Sequence, residues 1–383
     1  RPAVPYFIHS VLPKHLPEME DLFDEWTTNE GEYGSKALCY RDTLNDFMVH
    51  NWGEWARDCG IDGYYVDNMR PISCNKIEHG CGYRLPDGRI QPIYSMFGTR
   101  EYFLRSRAAI LEERPQSKLV LHMTNAMILP WIGAADVAYD GEHHVITARM
   151  KKDFMDFWPL DRIRADVPEG WGTGVNFMHE YQDKWDPADL YLAMRAYIGE
   201  VAIHDILPTG NHNGGAGHFI KQREAFGIGD SDVKFLGYWQ KDSGLSAESK
   251  DIKLGAWLKP GKMMIMVTNF GEKQNATVKL DTKKLGWAGA AIAVTDAEAG
   301  YKNETSVKKT EEELAAEKAQ FEKDEAARKE QNPKYKGKTF HPKRAKTVTT
   351  WDGDKNDPVK VDGTTLTVPV ERHNYRLLII TKQ

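Results

Sequence analysis

The sequence predicts an α/β protein: a (β/α)8 barrel of the TIM type, followed by an all-β C-terminal sandwich. From the first residues to about residue 230, short apolar runs alternate with longer helical patterns, which is typical of βα units around a parallel sheet. From about Lys234 onward, apolar and polar residues alternate at period two between turns that contain glycine, which is typical of antiparallel sheets. We therefore expect a catalytic barrel domain over residues 1–232 and a β-sandwich domain over residues 233–383.

Six apolar runs in the first part predict six strands of a parallel sheet. These runs are Val4–Ile8, Gly63–Val66, Leu119–Met123, Val137–Tyr139, Val175–Met178 and His204–Leu207. Helical patterns between them cover Arg41–Cys59, Gly98–Glu113 and Pro187–Ala202. A closed barrel of this type has eight strands. Because the chain also begins without an initiator Met or an export signal, we expect two N-terminal strands to be missing from it and to be supplied by an upstream segment.

The second part carries period-two patterns on both sides of a charged insert. The predicted strands are Phe235–Trp239, Ile252–Leu258, Met263–Asn269, Ala276–Leu280, Ala290–Thr295, Lys346–Thr350, Thr364–Val370 and Tyr375–Thr381. Residues 303–345 between them include an Ala/Glu/Lys-rich segment of high helix propensity. We expect a solvated helical insert there, with a partner surface as the alternative.

Charge and hydropathy exclude two classes of partner. The formal net charge is −5, so no basic excess is present to neutralise a phosphate backbone, and we expect no nucleic acid partner. No apolar run reaches the length of about 18 residues that a membrane-spanning helix needs. The G-x-S-x-G turn of serine hydrolases and the phosphate-binding G-x-x-x-x-G-K-[ST] loop are also absent from the sequence.

All four cysteines lie in the first quarter of the chain. They are Cys39, Cys59, Cys74 and Cys81. Cys74 and Cys81 flank a short loop with glycine and are the easiest pair to close into a disulfide. A zinc site that uses His79 between them lacks the C-x-x-C spacing, and free buried thiols are the remaining alternative.

Carboxylates follow two of the predicted strands, at the end where functional residues of parallel barrels collect. Asp67 comes directly after Gly63–Val66, while Asp140 and Glu142 follow Val137–Tyr139. A pair of carboxylates is what cleavage of a glycosidic bond requires. A turn or helix-cap aspartate is the other interpretation of Asp67, and Glu180 is a weaker candidate in a polar loop.

Histidines near the same strand ends raise the question of a metal. These are His122, His143, His144, His179 and His204. The H-x-H pair of barrel metal sites and the H-E-x-x-H helix are both absent. We therefore expect no metal and no cofactor, and assign these histidines to hydrogen bonds with hydroxyl groups or to structural roles.

A series of motifs resembles the uncharacterised bacterial glycoside hydrolase domains related to family 123. The motifs are residues 60–68 (Gly-Ile-Asp-Gly-Tyr-Tyr-Val-Asp-Asn), 82–92, 100–102, 122–125 (His-Met-Thr-Asn), 130–142, 158–164, 204–207 and 235–239. The resemblance runs over most of residues 4–300. It implies a barrel followed by a sandwich, acting on glycosides, and export to the periplasm, the cell surface or the medium.

Family 123 enzymes are β-N-acetylgalactosaminidases in which an adjacent Asp-Glu pair works with the acetamido group of the substrate. Asp67 matches the Asp of that pair, but the next residue is Asn68. The resemblance therefore does not carry over the acetamido-sugar specificity or the substrate-assisted mechanism.

The leading hypothesis is a glycosidase that cleaves a poly- or oligosaccharide. Asp67 would be the nucleophile or the carboxylate that stabilises the oxocarbenium ion, and Glu142 the general acid/base. The expected substrate-binding residues are Asn68, His122, Asn125, Asp140, Glu180, His204 and Asp205, with Trp131 and Trp158 as stacking walls or core residues. A non-catalytic carbohydrate-binding or cell-surface structural protein, which Asn68 favours, is the first alternative, and a metal-dependent hydrolase is the second.

Overall fold

The computed structural model describes residues 3–13, 15–32, 34–123, 127–142, 154–156, 158–166, 173–178, 186–209 and 216–383. The chain forms two compact units. One comprises Arg1–Gln182 with Glu200–Asn211, and the other comprises Asp183–Gly199 with His212–Gln383. The division differs from the expected boundary at residue 232, because the second unit already takes in residues 183–199 and 212–232.

The first unit is built on a six-stranded parallel sheet. Its strands are β1 (Tyr6–Ile8), β2 (Gly63–Met69), β3 (Lys118–Met123), β4 (Val137–Asp140), β5 (Gly174–Met178) and β6 (Leu207–Thr209). They lie side by side in chain order, as successive βα units of a barrel do. Among the described residues β1 and β6 each pair on one side only, so the sheet stays open and a closed barrel is not formed.

Helices alternate with these strands along the chain. They are α1 (Glu18–Trp26), α2 (Asp42–Asp58), α3 (Met96–Glu113), α4 (Leu129–Ile132), α5 (Leu160–Asp166) and α6 (Pro187–Ala202), the last divided between the two units. Successive side chains of a strand point to opposite faces. Tyr64 and Val66 are therefore buried in the apolar core, where Trp52 of α2 stacks on Tyr64 at 4.3 Å. Tyr65 and Asp67 consequently lie on the other face.

The sixth strand begins later than predicted. His204 and Asp205 belong to the turn that follows α6, and Asp205 adopts a positive φ of 59° there. The His204 side chain is half-buried, with Nδ1 2.8 Å from the Glu200 carbonyl oxygen. Both residues lie at the amino end of β6. The sequence pattern placed them in the sixth strand, whereas the structure places them in the turn before it. Their role in substrate binding stays a prediction.

Short antiparallel ladders that the sequence did not predict surround the parallel sheet. Thr27–Glu32 pairs with Ser35–Leu38 before α2, and after β2 Ser73–Cys74 pairs with Ile93–Tyr94 and Tyr83–Arg84 pairs with Ile90–Gln91. These ladders hold Cys39, Cys74 and Cys81, which are buried together.

The second unit begins its C-terminal part with α7 (Gly217–Phe226) and continues as two antiparallel sheets and a separate two-stranded ladder. Their strands are β7 (Lys234–Leu236), β8 (Leu245–Ala247), β9 (Ile252–Lys259), β10 (Lys262–Asn269), β11 (Gln274–Leu280), β12 (Ile292–Asp296), β13 (Lys302–Lys308), β14 (Ala345–Asp352), β15 (Lys360–Asp362), β16 (Thr365–Val370) and β17 (Asn374–Lys382). One sheet has the order β7-β9-β10-β17-β12 and the other β8-β11-β16-β15. Apolar residues of both sheets, among them Ile265 and Val278, form one core cluster.

Strands β13 and β14 form a separate two-stranded ladder that flanks α8 (Glu311–Gln331). Thr310 caps this helix in a capping box with Glu313, which satisfies backbone N–H groups at its first turn. No residue of α8 is buried. The charged segment therefore forms a solvated helix between two paired strands. Within the described part of the chain, no helix is both long and apolar enough to cross a membrane.

Candidate functional site

The carboxyl ends of β2, β3 and β4 bring Asp67, His122 and Glu142 together. Nδ1 of His122 lies 2.8 Å from Asp67 Oδ1, and Nε2 lies 3.2 Å from Glu142 Oε2. The contact between Nε2 and Glu142 does not have the alignment of a hydrogen bond. The His122 ring itself is buried. One ligand atom from each of the three residues lies within 4.8 Å of the others. The two predicted catalytic carboxylates are therefore neighbours across one imidazole ring.

A bulge in β2 determines where the Asp67 side chain points. Val66 pairs with Leu121 and Met69 with Met123, so β2 has one extra residue over this interval. Asn68 takes up the extra length with a φ of 56°, a left-handed conformation that asparagine tolerates better than most residues. Backbone irregularity of this kind is frequent next to active sites.

Gly141 sets the path of the chain between β4 and Glu142. Its φ is 102°, and a Cβ at this position would lie 2.5 Å from the Met178 carbonyl oxygen and from the Phe177 ring. Only glycine fits so close to the neighbouring strand. The position of Glu142 therefore depends on the packing of β4 against β5.

Three tyrosines on the same face complete the cluster. The Tyr6 hydroxyl donates a hydrogen bond to Asp67 Oδ2, and the Tyr65 hydroxyl lies 2.7 Å from His122 Nδ1. The Tyr6 and Tyr65 rings stack at 5.5 Å, and Tyr139 meets Tyr65 edge-on at 5.8 Å. The sequence analysis missed these tyrosines. The alternation of β2 contained the signal, because Tyr65 is two residues before Asp67 and so shares its face.

Asp67 is held in its ionised form. Burial raises the pKa of its carboxyl group, but hydrogen bonds from His122, Tyr6 and the Asn68 backbone outweigh that effect and keep the pKa below its ordinary value. Burial, with the nearby charge of Asp67 as the next cause, raises the pKa of the Tyr65 hydroxyl, which therefore stays protonated.

Three residues predicted to bind substrate are buried instead. Trp131 packs in the core and donates from Nε1 to the Met96 carbonyl oxygen at 2.9 Å. Trp158 packs against Phe177 at a ring distance of 4.9 Å. Both rings are buried among the described residues, which favours core packing, the other interpretation of these tryptophans.

Asp140 is also buried, and its Oδ1 accepts a hydrogen bond from the Gly141 backbone N–H at 2.8 Å. It supports the turn, and its contact with substrate stays a prediction. Asn68 is half-buried beside Asp67, while Asn125 and Glu180 lie outside the described residues.

The predicted disulfide between Cys74 and Cys81 is not formed. All four cysteines lie within the described residues, and each is a free thiol. The sulfur of Cys81 lies instead 3.6 Å from that of Cys39. The short spacing along the chain suggested Cys74 as the partner of Cys81. In the fold, the ladder before α2 brings Cys39 against the loop that holds Cys81.

Two clefts lie in the second unit. One of about 340 Å³ is lined by Trp351, Asp357 and Arg376, and another of about 350 Å³ by Tyr238 and Lys253. Arg376 is already paired with Asp296 at 2.6 Å. Neither cleft presents two neighbouring carboxylates with an oriented histidine, so the chemistry of the site favours Asp67, His122 and Glu142.

Comparison with known families gives one match. Residues 218–320 match the family model for the C-terminal domain of glycoside hydrolase 123. No curated protein matches the chain.

The fold was also compared with solved structures. An alpha-amylase from Geobacillus thermoleovorans, complexed with acarbose, has 10% identity and a TM-score of 0.47, over 100% of this chain and 78% of that one. An Anoxybacillus alpha-amylase has 9% identity and a TM-score of 0.48, over 100% and 76%. A GH30 endoxylanase from Clostridium papyrosolvens has 9% identity and a TM-score of 0.41, over 94% and 77%. Likeness at this level says nothing further about activity.

Residues 218–320 are thus similar to the C-terminal domain of a glycoside hydrolase family. The match confirms the resemblance to family 123 over residues 218–320 and, with it, the expected class of enzyme, a glycosidase.

Proposed function

We propose that this glycosidase cleaves a poly- or oligosaccharide with Asp67 as nucleophile and Glu142 as general acid/base. The observation that carries the proposal is the pair of carboxylates held on either side of the His122 ring, at 2.8 Å and 3.2 Å. Glycosidases use two such groups, one to attack the anomeric carbon and one to protonate the leaving oxygen.

The short spacing of the pair favours retention of configuration. Retaining enzymes place the two carboxyl groups about 5–5.5 Å apart, whereas inverting enzymes need about 6.5–9.5 Å to admit a water molecule. The nearest Asp67 and Glu142 oxygens lie within 4.8 Å of each other, which leaves no room for that water.

Differences in surroundings support the two roles. The Asp67 side chain is 15% exposed and accepts hydrogen bonds that keep it ionised, as a nucleophile requires. The Glu142 side chain is 44% exposed and can reach a leaving group.

The proposed reaction has two steps. Asp67 Oδ attacks the anomeric carbon while Glu142 donates its proton to the departing oxygen, which gives a glycosyl ester and a free alcohol. Glu142 then takes a proton from water as the water attacks the same carbon, and Asp67 leaves as a carboxylate.

The proposal extends to the architecture and the location. We propose that two further parallel strands, from an upstream segment, close the sheet of β1–β6 into a barrel, and that the two C-terminal sheets pack as a sandwich. Unpaired outer edges of β1 and β6 among the described residues support the first part, and the shared core cluster supports the second. We propose export because polymeric glycans are usually met outside the cell.

The direct test is a screen of the purified chain against a glycan library, with Asp67→Asn and Glu142→Gln beside it. Loss of a general acid/base costs about 10²–10⁴-fold in rate, and loss of the nucleophile should cost at least as much. Asp87→Asn, in the exposed loop between residues 84 and 90, is the matched control and should keep full activity. Unchanged turnover in both site variants would refute the assignment. Sugar binding without turnover in the wild type would favour the non-catalytic alternative.

A metal-dependent hydrolase is the second candidate, because Asp67, His122 and Glu142 also have the composition and spacing of a cation site. Metal analysis of wild type and Asp67→Asn separates the two. A metal that is lost with Asp67 and is needed for turnover would favour this candidate.

A further inference from the structure

A second cluster of reactive side chains lies outside the proposed catalytic site. Cys39, Cys74 and Cys81 are all buried, and His79 is nearly so. Cys39 Sγ lies 3.6 Å from Cys81 Sγ, and Cys74 Sγ lies 3.6 Å from His79 Nδ1. The ligand atoms of Cys39, Cys74 and His79 all lie within 4.8 Å of one another.

The two distances of 3.6 Å are close to the edges of a tetrahedral zinc site. Bonds of about 2.3 Å to sulfur and about 2.0–2.1 Å to nitrogen, at tetrahedral angles, give sulfur–sulfur edges of about 3.8 Å and sulfur–nitrogen edges of about 3.6 Å. The sulfur–sulfur distance of 3.6 Å between Cys39 and Cys81 is also far from the length of about 2.05 Å that a disulfide requires.

The orientation of His79 suits a ligand. Its Nε2 lies 3.0 Å from the Asp24 carbonyl oxygen and donates a hydrogen bond to it, so the lone pair of Nδ1 points toward Cys74. A histidine that binds a metal almost always donates from its other nitrogen to such an acceptor.

The backbone around the cluster is shaped to bring the four groups together. Cys39 follows the strand Ser35–Leu38, Cys74 ends the strand Ser73–Cys74, and His79 ends a single helical turn. Gly80 and Gly82 take positive φ values of 65° and 81°, so the chain reverses on each side of Cys81. Two segments separated by 35 positions, from residue 39 to residue 74, thus meet at one point.

We infer that Cys39, Cys74, His79 and Cys81 bind a structural zinc ion. Four protein ligands fill a tetrahedral shell and leave no open position for substrate, which is the mark of a structural site. The ion would fasten the segment that follows β2, and therefore Asp67, to the ladder before α2.

The test begins with the full-length wild-type chain, purified under reducing conditions and dialysed against zinc-free buffer. Elemental analysis should find one equivalent of zinc, and X-ray absorption at the zinc edge should show three sulfur ligands and one nitrogen ligand. Cobalt substitution should give the strong absorption of a tetrahedral thiolate site.

Variants identify the ligands. Cys74→Ser and Cys81→Ser should lose the equivalent of zinc and unfold at lower temperature. Cys59→Ser should keep it, since Cys59 is exposed and stands apart from the cluster. Asp67→Asn should also keep it, which separates this site from the catalytic carboxylates.

Three results would overturn the inference. The first is wild-type protein that holds no metal and contains a disulfide at Cys39 or Cys74, so that its mass is two hydrogen masses below that of the reduced chain. The second is a zinc edge that shows only nitrogen and oxygen ligands, and the third is reduced protein that takes up no zinc. The spectra of the wild type decide the question even if the serine variants fail to fold.

Discussion

At the scale of single residues, Asp67 is the group whose surroundings are most specialised. Two side chains from neighbouring strands, Tyr6 and His122, bond its two oxygens, and a bulge turns it toward Glu142. Because the folded pKa lies below the ordinary value, the contribution of this carboxylate to stability is present above that value and is lost as the pH falls through the folded pKa.

Replacement of Tyr6 by Phe should raise the pKa of Asp67, because the carboxylate loses a hydrogen bond that favours its charged form. The acid limb of the pH–rate profile should move to higher pH. Carboxyl ¹³C NMR measures the same titration without a substrate. Tyr94→Phe is the control, because Tyr94 is exposed to nearly the same extent as Tyr6, at 58% against 60%. An unchanged Asp67 titration in Tyr6→Phe would show that the hydroxyl does not set the pKa.

The sequence predicted some of these residues and not others, for physical reasons. Asp67 and Glu142 follow strands, and parallel strands meet at one edge, so their proximity could be foreseen. The burial of Trp131 and Trp158 could not, because an aromatic residue near a strand end fits a core as well as a rim. His122 was expected to bind hydroxyl groups, but the register of β3 against β4 places its ring between two carboxylates.

At the scale of elements, the turn from β4 to Glu142 relies on one glycine. Gly141→Ala should destabilise the chain by about 1–3 kcal/mol, because the φ of 102° and the contact with Met178 both exclude a Cβ. Displacement of Glu142 by about 1 Å would cost about 10²-fold in rate. Urea unfolding and turnover measure the two effects.

Gly133→Ala is the control for this glycine, since a Cβ there meets no atom closer than 3.9 Å. If Gly141→Ala proves as stable and as active as Gly133→Ala, the turn does not constrain Glu142.

A buried ion pair joins elements of the second unit. Arg195 of α6 and Glu298 are both fully buried and meet at 2.6 Å, and Arg195 also donates to Asn374 Oδ1 and to the Tyr375 carbonyl oxygen. No motif marks Arg195 in the sequence. Its partner lies 103 positions away, and a helical pattern carries no information about a pair of that separation.

Glu298→Gln should lower the free energy of unfolding by about 3–5 kcal/mol, because it leaves the Arg195 charge buried without its counter-ion. Denaturant unfolding measures this loss. Glu248→Gln, which breaks the exposed pair with Lys279, should leave the stability almost unchanged. Equal stability of the two variants would contradict the structural role of the buried pair.

At the scale of the whole molecule, the sequence predicted the class of fold better than it predicted the boundaries of the two units. Five of the six apolar runs of the first part contain a parallel strand, and the sixth strand begins only at Leu207, the last residue of its run. The runs were easy to find because buried parallel strands are rich in apolar residues. The division into units could not be found in the same way. Residues 183–199 have an ordinary helical pattern, yet they belong to the second unit through contacts such as Arg195 with Glu298.

The central claim is that Asp67 is the nucleophile of a retaining glycosidase. It is tested most directly by trapping the glycosyl-enzyme with an activated 2-fluoro glycoside of the sugar found in the library screen, followed by peptide mass mapping. The account predicts one sugar on the peptide that contains Asp67, and none in Asp67→Asn. A label on another residue, or turnover with inverted configuration and no label, would contradict it.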